Sequence, residues 1–148
     1  MRYAQATALV NSMLLDEKFS TLSAVERKRI LERILSEIKG RMMEDIVLLE
    51  TKLANPGEEV FQLQFAVGEF DMVVVDSKAL TCEIFEIKYS KEVVPAQYRH
   101  LTDEEKCAQT EHRYGKITAK TVIYRGETTE SEYVRYVNAE EYLNRLGV

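Results

Sequence analysis

Cysteine is scarce in this chain: of 148 residues only Cys82 and Cys107 are thiols. Two thiols build no disulfide framework and lack the paired spacing of a zinc site, so a reducing, cytoplasmic compartment is the expected setting. Histidine is equally sparse, and His100 and His112 stand too far apart to form an i, i+4 ligand pair on a helix. No run of about 18 apolar residues occurs, which argues against a membrane span, and the N-terminus lacks the pattern of a signal peptide. A phosphate-binding loop is missing too: Gly115-Lys116 has no glycine five residues earlier and is followed by Ile117, so this polypeptide does not itself contain the nucleotide-binding module of a P-loop ATPase. Basic charge is in deficit. The 20 Lys and Arg against 25 Asp and Glu leave a net charge of −5. Phosphate neutralisation by Lys and Arg supplies most non-specific affinity for nucleic acid, so only weak binding of DNA or RNA is expected, through a local patch.

What is present is the composition of a soluble globular domain, 45% hydrophobic and 30% charged, in a chain of one-domain length. Residues 3 to 15 read as a short amphipathic helix with Ala8, Leu9, Met13 and Leu14 on one side, broken over Lys18 to Leu22. Ser23 and Glu26 form a capping box ahead of Val25, Ile30, Leu31, Ile34, Leu35 and Ile38 at helical spacing. The basic run Arg27-Lys28-Arg29 alternates with acids, which reads as a salt-bridged, solvated face. Gly40 marks a kink or a new start. The next helix, about 41 to 54, carries Met43, Ile46, Val47, Leu49 and Leu53 as a broad apolar stripe and is expected to pack centrally. Asn55-Pro56-Gly57 ends it.

Three strands follow with short connections, about 60 to 66, 70 to 75 and 81 to 88. The segment 89 to 101, with Pro95, reads as a loop able to wall a cleft. Thr102 and Glu105 form a second capping box for a helix that stops at Gly115. Strands are expected at 117 to 124 and 133 to 137, and a last helix from Asn138 to Gly147. Tyr89, Tyr98, Tyr114, Tyr133 and Tyr136 fall at the margins of the apolar runs, where each either stacks on a base or packs its ring with the hydroxyl wet. The order of elements is that of an α+β domain.

The chemistry is concentrated in Gly68-Glu69-Phe70-Asp71 and Cys82-Glu83-Ile84-Phe85-Glu86-Ile87-Lys88. If these are arms of a hairpin with a loop over Ser77 to Leu80, Asp71 lies opposite Glu86, with Cβ atoms roughly 4.5 to 5.5 Å apart on one face. Lys88, two residues on, shares that face. A divalent cation between the carboxylates turns their repulsion into a binding site. On spacing alone a second reading stands beside it: a solvated face in which Lys88 pairs across the strands with Glu69. Cys82 shares the face as well and reads as a buried structural thiol.

Asp71 followed by Glu86-Ile87-Lys88, after a helix bearing Glu44, resembles the PD-(D/E)XK nuclease-like fold. Met1 to Ala6, Gly40 to Glu50, Phe61 to Phe65, Gly68 to Asp71 and Phe85 to Lys88 look like the C-terminal domain of a family of bacterial AAA-type ATPases, a domain of unknown function of the DUF4143 type. The likeness spans nearly the whole chain and is most specific over residues 40 to 88. It implies an α/β sandwich-like, restriction-endonuclease-like core at 40–148, with a central mixed sheet flanked by helices, preceded by a helical extension at 1–39. It also implies Asp71, Glu86 and the Ile87 carbonyl as ligands of Mg²⁺ or Mn²⁺, Lys88 as the group that orients or activates water, and Glu44 as an outer carboxylate. A glutamine or lysine on the next helix belongs to that pattern, and Gln109 meets it only loosely. The partner implied is an ATPase module upstream in a longer protein, Met1 then being a truncated or artificial start. The same fold also serves as a catalytically silent interaction or regulatory domain, since fold and chemistry separate.

Overall fold

A computed structural model describes residues 8, 12 and 17–147. The helix expected over residues 3 to 15 lies outside the described residues, apart from helical Ala8 and Ser12. The chain divides into two units, Met1–Met42 and Met43–Val148, a boundary three residues beyond the expected 39/40.

In the first unit, α1 (Glu17–Thr21) occupies the stretch expected to interrupt helix, and α2 begins at Ala24. The Ser23 cap forms as anticipated: Ser23 N–H donates to Glu26 Oε2 at 2.9 Å and Glu26 N–H to Ser23 Oγ at 3.3 Å. Of the basic run, Lys28 pairs with Glu32, and beyond the run Arg33 pairs with Glu37, each one turn apart. α2 then continues to Ala54 without a break at Gly40. One glycine costs a helix only about 1 kcal/mol, too little to end a run of strong helix formers on both sides.

The second unit is α+β. Among the described residues six strands, β1 (Glu59–Gln64), β2 (Glu69–Asp76), β3 (Thr81–Ile87), β4 (Lys116–Tyr124), β5 (Thr129–Glu130) and β6 (Arg135–Asn138), form one mixed sheet in the order β1-β2-β3-β4-β6-β5. β1, β2 and β3 are an antiparallel meander, whereas β3–β4 and β4–β6 pair in parallel. The parallel step from β3 to β4 demands a crossover, which α3 (Glu104–Tyr114) supplies. Its cap is Asp103, accepting from Lys106 N–H at 3.1 Å, rather than Thr102, whose hydroxyl turns back to the carbonyls of Tyr98 and Arg99. Asn138 caps α4 (Ala139–Leu146) by accepting from the N–H groups of Glu140 and Glu141, and Gly147 closes it in the left-handed region.

Two apolar layers cover the sheet. On one face Phe70, Val73, Val75, Cys82, Ile84, Leu101, Val122 and Tyr136 are buried, with Cys107 and Tyr114 of α3 packed against them. On the other, Val60, Met72, Phe85, Ile87 and Ile123 meet Val47 of α2 and Ala139 of α4. Tyr136 is thus a core residue and not a surface aromatic. The apolar stripe of α2 divides: Val47 enters the core, while Ile46, Leu49 and Leu53 are 45%, 54% and 66% exposed. A sheet covers only one side of a helix, and the side it takes here runs through Met43, Val47 and Thr51.

Candidate functional site

The hairpin of β2 and β3 positions the site. Asp76 Oδ1 accepts from the N–H groups of Lys78 and Ala79, a local turn that sets the loop, and Asp76 pairs with Thr81. From there the register runs back to Met72 opposite Phe85, and just beyond it the Asp71 side chain takes the Ile87 N–H of β3. Met72, Phe85 and Ile87 point to the α2 and α4 layer, so strand alternation turns Asp71 and Glu86 to the opposite face.

Both carboxylates are buried, Asp71 at 7% and Glu86 at 2% exposure. Asp71 Oδ2 accepts from Ile87 N–H at 2.7 Å and from Lys88 Nζ at 3.0 Å. Lys88 Nζ also lies 2.5 Å from Glu86 Oε2. Lys88 therefore pairs with the two acids of the predicted site, not with Glu69. The second carboxylate oxygen, Glu86 Oε1, is buried and has no hydrogen-bond partner among the described residues. An unsatisfied buried polar atom is uncommon and costs about 1–3 kcal/mol.

Electrostatics follow from that packing. Burial first, then the Asp71 charge, pushes Glu86 up to about 8 against the opposing pull of Lys88. Burial pulls Lys88 down, but the charges of Asp71 and Glu86 outweigh it and hold the ammonium above its ordinary value. Between two carboxylates, Lys88 is held as the ammonium.

Asp71, Glu86 and Lys88 open into a cleft of about 420 Å³, lined further by Gln64, Phe65, Gly68, Glu69 and His100. Glu44 does not line it. The α2 residues Met43, Val47 and Leu48 pack in the layer of Met72, Phe85 and Ile87, on the other face of the sheet from Glu86. Sequence order brought the helix before the strands, but the face it covers was decided by Val47 and Thr51. Gln109 is exposed on α3, donates to Glu105 at 3.2 Å, and borders a neighbouring groove instead. His100 is the functional candidate that sequence reasoning passed over. The expected loop wall was its signal, since His100 lies at the end of that segment.

Comparison with family models, with curated proteins and with solved structures finds no match to this chain. Function is therefore read from the site.

Among the described residues no three of His, Cys, Asp and Glu cluster as a metal centre. The donors at hand are Asp71, Glu86 and the main chain of Ile87. In an extended strand the N–H and C=O of one residue leave on the same side, so the Ile87 carbonyl faces the strand edge on which its N–H meets Asp71. Glu86 Oε1, which accepts no hydrogen bond from the described residues, suits a hard cation once the carboxyl has given up its proton, since such a cation takes oxygen ligands. Cys82 is buried and its thiol lies 3.4 Å from the Gly115 carbonyl, with its pKa raised by burial; it is structural. No helix among the described residues is long and apolar enough to cross a membrane.

Proposed function

We propose that this chain is a PD-(D/E)XK nuclease-like domain of an ATP-binding protein, whose nucleotide-binding module lies elsewhere in a longer polypeptide, and that its cleft hydrolyses phosphodiester bonds of nucleic acid with Mg²⁺ or Mn²⁺. The observation that carries this reading is the pair of buried carboxyls Asp71 and Glu86 in one cleft, with Glu86 Oε1 accepting no hydrogen bond from the described residues. Asp71, Glu86 and the Ile87 carbonyl would hold the ion. When bound, it supplies Lewis-acid charge stabilisation and lowers the pKa of water. Lys88, kept protonated by its two neighbours, serves as a cation that orients water and offsets charge on the phosphate, rather than as a base. The acidic balance of the chain agrees with weak, salt-sensitive binding of DNA or RNA.

The test is thermal unfolding with and without Mg²⁺ or Mn²⁺, alongside cleavage of DNA and RNA. At about a hundredfold excess over Kd the ion should add about 2.7 kcal/mol, roughly 5–10 °C for a domain of this size. Asp71→Ala should abolish the gain. Equal shifts in the wild type and the variant would sink the reading.

A second reading, a catalytically silent interaction or regulatory domain, draws on the contacts of Lys88 with both acids. These already compensate the pair as a structural ion cluster. On that reading neither ion shifts the melting temperature, and no cleavage occurs.

A further inference from the structure

His100 stands in the cleft with Asp71, Glu86 and Lys88, and the hydrolytic reading gives it no part. Its surroundings fix both its tautomer and its place. Nδ1 lies 2.7 Å from Lys106 Nζ. An ammonium has protons to give and no lone pair, so Lys106 donates and Nδ1 accepts. The proton of the neutral ring is then on Nε2. Lys106 is held in turn, 3.7 Å from Asp103 Oδ2 and 5.7 Å above the Phe65 ring.

The other side of the ring rests on Gly68. This residue has φ +80°, and a Cβ there would come within 2.6 Å of His100 Cε1. The absent side chain is therefore the space the imidazole occupies. Burial, followed by the charges of Lys106, Arg99 and Lys88, lowers the His100 pKa against a smaller opposing effect of Asp103, so the ring stays neutral at neutral pH. With Nδ1 engaged and Nε2 protonated, neither nitrogen is available to accept a proton. What the ring offers is a fixed N–H donor, and among the described residues Nε2 makes no hydrogen bond.

We propose that His100 is a phosphate-positioning residue, its Nε2–H donating to a non-bridging oxygen of the phosphodiester brought to Asp71 and Glu86. The assignment rests on the hydrolytic reading for its substrate class, though its test is separable. Such a donor acts on ground-state binding, so its loss raises KM more than it lowers kcat.

The probe is a labelled single-stranded DNA oligonucleotide, with binding followed by fluorescence anisotropy in Ca²⁺ and cleavage followed in Mg²⁺. His100→Ala should weaken binding roughly tenfold to a hundredfold, the effect of removing a hydrogen bond to a charged acceptor. His100→Gln, whose amide NH₂ reaches the place of Nε2–H, should recover most of the loss. His100→Asn, whose amide reaches only the place of Nδ1, should not, and it replaces the alanine variant if that protein fails to fold. The melting shift with Mg²⁺ should be the same in all variants. Equal binding by the wild type and His100→Ala, failure of His100→Gln to rescue, or no binding by the wild type would each overturn the assignment. Binding that depends on His100 without cleavage would overturn the hydrolytic reading and leave His100 in its role; cleavage indifferent to His100 would do the reverse.

Discussion

Replacing Glu86 with glutamine should make the protein more stable, and increasingly so as the pH rises. Burial and Asp71 raise this carboxylate from its ordinary value of 4.5 to about 8. Between those limits the folded protein holds a proton that the unfolded chain has released. The folded state binds more protons, so stability falls with rising pH, by up to about 1.4 kcal/mol per unit. Integrated from the unfolded value, the cost is about 2 kcal/mol near pH 6 and about 4 kcal/mol near pH 8. Glutamine keeps the shape, still offers an oxygen to Lys88, and has no proton to lose. Urea unfolding followed by circular dichroism at several pH values gives both stabilities by linear extrapolation. Glu86→Gln should match the wild type near pH 5, exceed it by several kcal/mol near pH 8, and lose most of the slope between. A variant that is less stable at every pH, or that keeps the wild-type slope, would refute the burial-driven shift and, with it, the strained carboxylate on which the metal reading stands.

Lys88→Met leaves two buried carboxylates without their cation and should cost roughly 2–4 kcal/mol above pH 8; the loss should shrink on acidification as Glu86 takes up its proton, which chemical denaturation at the two pH extremes will show. Divalent-ion stabilisation should itself grow between pH 6 and pH 8, because the ion competes with the Glu86 proton; a melting shift that does not change with pH would speak against Glu86 as a ligand. Gly115→Ala puts a Cβ 1.9 Å from the Leu80 carbonyl oxygen at φ +97°, a main-chain clash that should cost more than about 3 kcal/mol or prevent folding, read as lost soluble yield or a lowered melting temperature. Asn138→Ala removes the cap of α4 and a 2.8 Å bond to the Gly126 carbonyl, and should lower stability by about 1–2 kcal/mol in urea unfolding.

The hairpin register was legible in the sequence because it is a local property. The Asp76 turn and the alternation of β2 and β3 put Asp71 against Glu86 and Lys88 on their face, with no need of distant contacts. The Ser23 and Asn138 caps were legible for the same reason, each being a side chain bonded within three residues of itself. Three other matters were settled only by tertiary packing. Which side of α2 is buried depended on the sheet: the helix is apolar on more than one side, and the sheet took Val47 and Thr51, leaving Ile46, Leu49 and Leu53 exposed. His100 came to Gly68 across 32 residues of chain, a meeting that no periodicity encodes. The ionisation of Glu86 and Lys88 likewise followed from burial and from the charges folded around them. A one-dimensional pattern specifies which groups share a strand face; how far water is excluded from that face depends on the layer that the rest of the chain builds over it.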